Sequence, residues 1–378
     1  MSSHDFIIIG AGIAGASAAY ELQKHGSALL LEREPLPGHH TTGRSAAFLV
    51  DSYGGCVVGK LTQASRGFLE QPPEGFADSP LVTANPVLWI GRLDQRASLA
   101  AALAGGREAG ADLREVDVAA ARALCPALRE EYVAAAVVEP SAMHIDVACL
   151  LDAFLRGFRR NGGELATKAD VTRVERVGEA WQVEAGGRTY RAPFVVNAAG
   201  AWCDLVGRLA GARPIGLRPL RRTAITFDPP AGSDIRSWPC VIDADEDFYL
   251  KPEGGQLLAS PCDEIPSEPC DASAEDYEVA LAAERVQRAT TIEIRHIRQR
   301  WAGLRSFVSD RSPVIGMDPA CAGFFWLAGQ GGSGIMTSPA AARAAAGLIV
   351  TGSLPEDLRA LGLSAEMLTA ERLAGHDR

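Results

Sequence analysis

The six residues GAGIAG, Gly10 to Gly15, constrain this chain most, because they follow the apolar run FIII and open the alanine-rich stretch IAGASAAYEL. A strand that turns through glycines directly into a helix opens a dinucleotide-binding βαβ unit. Gly10 permits the tight turn, Gly12 lets a pyrophosphate approach the backbone, and Gly15 lets helix and strand pack closely. The second strand, SALLL from Ser27, ends at Glu32, an acid placed to hold both hydroxyls of an adenosine ribose. Arg33 beside it suggests a 2′-phosphate, although an arginine after a strand is more commonly a surface residue.

An ordinary nicotinamide-binding chain would begin its next strand-helix unit here. Instead the loop Thr41, Thr42, Gly43, Arg44, Ser45, Ala46, Ala47, Phe48 supplies small residues whose amides can approach a large planar ring, with Arg44 set against a pyrophosphate. A flavin explains both features. NAAGAW, with Gly200 and Trp202, ends a buried strand in small residues where backbone must lie under a bound dinucleotide. Gly331, Gly332, Ser333, Gly334, Ile335 and Met336 open a further helix, whose N–H groups and dipole suit the negative charge of a reduced flavin. Three such turns, far apart in the chain, are expected where a flavin domain is assembled from separated segments.

At 378 residues two domains are expected, since a single core rarely grows so large. Strands are expected over 86–93 and 134–140, flanking a helical region from about 95 to 125. Asp146 reads as the N-cap of a helix that Gly162 and Gly163 stop. VTRVERV, WQVEA and TYRA alternate as an antiparallel meander, and the apolar run FVV, closing on Asn197 and small residues, reads as a strand of a buried parallel sheet. The strands RRTAITF, DFYLKP and GQLLAS then precede a helix over 274–297, with RHIRQR as its solvated end. The expected fold class is α/β: a discontinuous Rossmann-type FAD-binding domain over 1–80, 142–213 and 302–378, and a mixed-sheet substrate domain over 81–141 and 214–301.

A net charge of −10 and the scarcity of clustered Lys and Arg exclude a nucleic-acid footprint. The eight cysteines show no CxxC spacing, so neither a metal site nor a disulfide framework is implied, as in a reducing cytoplasm. The N-terminus lacks the basic segment and long apolar core of an export signal, and no apolar run approaches the roughly 20 residues of a membrane span. A soluble, cytoplasmic protein without a transmembrane segment is expected. His39 and His40 read as surface histidines and Cys56 as a core thiol, so no covalent flavin tether is assigned.

Taken together, DFIIIGAGIAGASAAYEL, TTGRSAA, NAAGAWCD, WAGLRSFVSD and FFWLAGQGGSGIMTS resemble the glycine oxidase/D-amino acid oxidase family of flavoproteins, and most closely its bacterial D-arginine dehydrogenases. The similarity runs nearly end to end. It implies noncovalent FAD held by Ala14, Glu32, Arg33, the 41–48 loop, Val171 and the 331–336 turn. It also implies that Arg222 and Arg305 anchor a substrate carboxylate, where two guanidinium groups give directional, charge-assisted binding. Tyr53 and Tyr249 would donate phenolic hydroxyls to the same group.

The chain departs from that branch at Phe48, Val87 and Ser333, where a histidine, a glutamate and a tyrosine stand in the D-arginine enzymes. These three are expected to form a side-chain pocket that has lost its acid and so favours neutral, apolar side chains. The expected reaction is oxidation of a D-amino acid by hydride transfer to flavin N5, giving an imino acid that hydrolyses to a 2-oxo acid and ammonia. Bound water or Tyr53 would take the amine proton, and the electron acceptor, whether quinone, protein or oxygen, is left open. Two other readings stay open: a 2-hydroxy acid dehydrogenase using the same anchors, and a flavin-bearing subunit without turnover.

Overall fold

The computed structural model of the chain describes residues 2–108 and 110–375. Five parallel strands lie side by side in the order Glu164–Ala166, Ala28–Leu31, Phe6–Ile9, Phe194–Asn197 and Phe324–Ala328, and Val314–Met317 closes the sheet antiparallel to the last. Parallel strands present their C-terminal ends along one edge, so the turns after Ile9, Asn197 and Ala328 meet there. Period-two alternation covers both faces. Phe6 and Ile8 pack among the helices Ile13–Leu22, Val147–Arg160 and Gly334–Val350, whereas Ile7 and Ile9 pack against Val174, Trp181 and Val183 of the antiparallel meander.

The larger sheet runs Ile265–Pro266, Arg218–Phe227, Gln256–Ser260, Tyr249–Glu253, Cys240–Asp243, Val87–Gly91, Ala135–Glu139 and Arg114–Val116, with Ile297–Phe307 also paired to Arg218–Phe227. It is mixed: Cys240–Asp243 is parallel to Val87–Gly91, and the other pairs are antiparallel. Leu88, Ile90, Val241 and Leu250 face the helix Asp276–Ala289, burying Val279, Ala282 and Val286. The alternate residues Val87, Trp89 and Cys240 lie on the opposite face with Phe48 and Tyr249 packed against them. That second face carries the site.

Asp146 caps its helix as expected, accepting from the Cys149 N–H at 2.8 Å. Other expectations are corrected. The region 95–125 is two helices, Arg96–Glu108 and Val118–Leu124, with the strand Arg114–Val116 between them and Asp117 capping the second. The later helix ends at Ala289 where Thr290 turns extended, and RHIRQR leads into the strand Ile297–Phe307. Its arginines are exposed and ion-paired, Arg298 with Asp228 and Arg300 with Asp276. That strand pairs along its length with Arg218–Phe227, so the expected boundary at 302 falls inside one ladder. Cys56 is exposed at the start of the helix Gly55–Glu70, not in the core, and His40 is half-buried with its ring on Trp202. All eight cysteines are free, and among the described residues no helix is long and apolar enough to cross a membrane.

Candidate active site

Arg222 and Arg305 reach one place because of strand register. Leu220 pairs with Arg305 and Arg222 with Gly303 in an antiparallel ladder, so the two arginines are diagonal neighbours on one face. Arg222 is buried and held in place by its own Nε, which donates to the Asp263 carbonyl at 2.7 Å, while Nη2 lies 3.4 Å from Glu264. Tyr249 comes from the strand Tyr249–Glu253, where it sits opposite Ser260. Tyr53 arrives from the loop before the helix Gly55–Glu70. A Cβ added at Gly332 would stand 3.0 Å from both Arg305 Nη1 and Tyr53 Oη, so the missing side chain leaves the space these two groups share.

Burial pushes the Tyr249 phenol up to about 12, with the charge on Arg305 pulling the other way. For Arg305 itself burial opposes the charge, but the neighbouring Tyr53, Tyr249, Cys262 and Glu246 outweigh it and hold the guanidinium above its ordinary value. The Tyr249 hydroxyl therefore remains a donor and the guanidinium remains a cation. Together they can bind a small carboxylate.

These groups stand where two cavities meet. Arg222, Tyr249 and Arg305 line both an inner cavity, walled by Phe48, Val50, Trp89, Cys240, Ile242 and Met336, and a long cleft that passes Ala14, Thr41, Ser45, Ala46, Gly331, Gly332 and Gly334. The cleft continues past Gly12, Thr42 and Gly200 into a further cavity lined by Gly10, Glu32, Arg33, Val171 and Trp202. The backbone is shaped for this course. Gly10 has φ of 100°, and a Cβ on Gly15 would fall 1.8 Å from the Gly10 carbonyl oxygen. Glu32 accepts from the Ala11 N–H at 2.8 Å and the Glu34 N–H at 2.9 Å, which holds its carboxyl at the cavity wall. Thr42 accepts from the Ile13 N–H at 3.0 Å, and Thr41 donates to the Leu304 carbonyl at 2.7 Å, so the loop is tied to the start of the first helix and to the larger sheet.

A family description, FAD dependent oxidoreductase (DAO), matches residues 5–348. The chain belongs to this DAO family. Human mitochondrial sarcosine dehydrogenase is 26% identical over 382 residues, which cover 94% of this chain and 41% of that protein. The chain thus spans about two fifths of the length of the first curated relatives it matches. L-proline dehydrogenase from P. horikoshii superposes with a TM-score of 0.87 at 20% identity over 99% of each chain. Glycine oxidase from Geobacillus kaustophilus gives 0.80 at 20% identity over 92% of this chain and 95% of that one. The fold is that of DAO enzymes and the cofactor is FAD. The residues present fit it: a long cleft free of side chains at Gly12, Gly200 and Gly332, and an acid at its far end.

Some residues expected at this DAO site lie elsewhere. Val87 is fully buried behind the inner cavity, paired in register with Cys240 and Glu139, because it occupies a central strand. Ser333 is buried too, and its hydroxyl turns back to the Gln330 carbonyl at 2.9 Å. Neither is among the lining residues. Gly43 serves close packing, its N–H bonded to the Gly38 carbonyl at 2.8 Å. Arg44 and Arg33 do line the cleft and its far cavity. The Arg44 guanidinium donates to the carbonyls of Ala272 at 2.6 Å and Ala302 at 3.0 Å and pairs with Asp271, and Arg33 lies over the Trp202 ring at 4.9 Å.

Sequence reading missed Val50, Trp89, Cys240, Ile242, Glu246 and Cys262. Alternation offered a signal for Trp89, which shares a face with Val87, so identifying Val87 as site-facing implied it; Cys240 and Ile242 share a face with each other but had no identified neighbour in their strand. Glu246 gave no such signal: it sits at a hairpin tip in left-handed backbone, φ 55°, and lines the cavity from there.

Proposed function

We propose that this chain oxidises D-amino acids with neutral, largely apolar side chains to imino acids, which hydrolyse to a 2-oxo acid and ammonia. The observation that carries the reading is the convergence of Arg222, Arg305, Tyr53 and Tyr249 on the boundary between the FAD cleft and an apolar-walled cavity. A carboxylate held by two guanidinium groups and two phenols orients Cα with respect to the cleft, and orientation is the main catalytic contribution of the protein. Bound FAD supplies the two-electron acceptor for the Cα hydrogen. Phe48, Val50, Trp89 and Met336 offer contact to an apolar side chain, and the acid that lines the same cavity, Glu246, already stabilises the charge on Arg305. Tyr53 and Glu246 line both this cavity and an outer chamber, giving the amine proton a polar way out.

The named relatives act on small amines, sarcosine, glycine and L-proline, which supports amine oxidation over 2-hydroxy acid oxidation. The D configuration rests on the sequence resemblance. The same reading assigns residues 1–80, 142–213 and the chain after the strand Ile297–Phe307 to the FAD-binding domain, and that strand with the remainder to the substrate domain, with noncovalent FAD and a cytoplasmic location. An anaerobic screen of D-amino acids, L-amino acids and 2-hydroxy acids for bleaching of the bound flavin tests it. Rapid bleaching by D-leucine, D-methionine or D-phenylalanine, and slow bleaching by D-arginine, is the expected pattern. Bleaching only by hydroxy acids, or by nothing, would overturn it.

A further inference from the structure

Glu139 closes the strand Ala135–Glu139 and is fully buried, a poor place for a carboxyl group. Its neighbours across the ladder are apolar, with Val87 directly opposite. What it gains is two hydrogen bonds. Oε1 accepts from the Asp51 N–H at 2.7 Å and Oε2 from the Ser52 hydroxyl at 2.5 Å, both in the loop that carries Tyr53. Burial pushes the carboxyl above its usual range, against these two bonds, which pull it back down. A leucine in the same place would avoid the desolvation cost but would hold no loop.

Gly54 and Gly55 follow Tyr53 with φ of 92° and 75°, a conformation that glycine adopts freely and that suits a hinge. Before the hinge, Asp51 pairs with Arg66 of the helix Gly55–Glu70 at 2.6 Å, and Arg66 also bonds Glu70 at 2.8 Å. Ser52, Tyr53 and Gly54 line the outer chamber, and Tyr53 lines the inner cavity as well, so the loop is the wall between them.

We infer that Glu139 is a positioning residue that latches the Tyr53 loop shut over bound substrate, and that substrate enters and product leaves when its bonds to Asp51 and Ser52 break. This rests on the proposed role of Tyr53 in holding the carboxylate. Glu139 touches neither substrate nor cofactor, so its variants should change capture more than chemistry.

The test uses the FAD-loaded protein with D-leucine, comparing Glu139→Leu, Glu139→Gln and Ser52→Ala. Glu139→Leu should raise KM about tenfold, the worth of one or two net hydrogen bonds, while the limiting rate of anaerobic flavin bleaching stays within about twofold. Glu139→Gln should behave as the parent, because its amide oxygen can accept from Asp51 and its amide NH₂ can donate to Ser52. An unchanged KM in Glu139→Leu, a glutamine variant as impaired as the leucine one, or a loss confined to the bleaching rate would each overturn the latch. Should Glu139→Leu fail to fold, Ser52→Ala removes one bond from the loop side, and an unchanged KM there has the same force. Hydrogen exchange at residues 51–54 reads the latch without any substrate: faster exchange in Glu139→Leu supports it and unchanged exchange refutes it. If exchange responds and no amino acid bleaches the flavin, the proposed function fails and the latch stands as a loop anchor without a role in capture.

Discussion

Arg222 and Arg305 stand diagonally across one antiparallel ladder, 83 residues apart in sequence, with Gly303 opposite the first and Leu220 opposite the second. Both side chains therefore emerge on one face, at the point where the FAD cleft meets the apolar-walled cavity. A one-residue slip in that register would send one of them to the other face of the sheet. Two guanidinium groups brought together this way repel, and a carboxylate between them relieves the repulsion.

Replacing either arginine by methionine should lower kcat/KM by about 2 to 4 kcal/mol, the range for breaking a desolvated charge pair. FAD should remain bound in both, since neither belongs to the turns around the far end of the cleft. Arg222→Met should also lower the melting temperature, because it leaves the buried Asp263 carbonyl without its 2.7 Å partner. Steady-state kinetics and flavin content measured on the same preparations check this. Near-parental kinetics in both variants would mean that the carboxylate is held elsewhere.

Gly332→Ala tests how closely Arg305 and Tyr53 are set. The new methyl carbon would stand 3.0 Å from both groups, so each must give way by a few tenths of an ångström. The expected result is a fall in kcat/KM of about 3- to 10-fold from misplaced anchors, with FAD retained. Parental kinetics would show that neither group needs its present position.

The turn at the other end should behave differently. Gly15→Ala would drive a Cβ to 1.8 Å from the Gly10 carbonyl oxygen, a backbone clash that no rotamer relieves. The protein should be isolated colourless or unfolded. Glu32→Ala leaves the turn's glycines in place but removes the acceptor of the Ala11 N–H, and should weaken FAD retention without abolishing folding. Flavin absorbance after gel filtration distinguishes the two, and a fully yellow Gly15→Ala protein would overturn the fit of FAD to this cleft.

The buried Tyr249 phenol sets an alkaline limit. Its value in the folded protein, about 12, is raised from an ordinary 10.0 by burial. Because the folded value is the higher one, this phenol's contribution to stability is complete below about pH 10 and is lost as pH rises from roughly 10 to 12. Ultraviolet titration should show two late-ionising phenols in the parent, Tyr249 and Tyr132, which burial and the neighbouring Asp243 also push up to about 12, and only one in Tyr249→Phe. Tyr249 should also stay a donor to substrate through pH 9. A phenolate at Tyr249 with a midpoint near 10 would contradict the burial.

Local signals were enough to read the cofactor half of this protein. A strand, GAGIAG, a helix and Glu32 lie within 27 residues, and each needs only its near neighbours to form, so spacing alone revealed the turn, the helix start and the acid at the cavity wall. The parallel strand FVVN was legible for the same reason: packed on both faces, it is apolar at every position before its closing Asn197. The substrate half depended on pairings made across the chain. RHIRQR has a charge pattern that suits a helix or an edge strand, and only the ladder with Arg218–Phe227 made it a strand. Val87 and Trp89 look equally suited to a pocket wall, yet the cavity reaches Trp89 while Val87 is sealed behind it by Cys240 and the Glu139 strand. Which side of a strand meets a cavity, and how far along it the cavity runs, depends on neighbours distant in sequence, and those contacts exist only once the sheets have closed on each other.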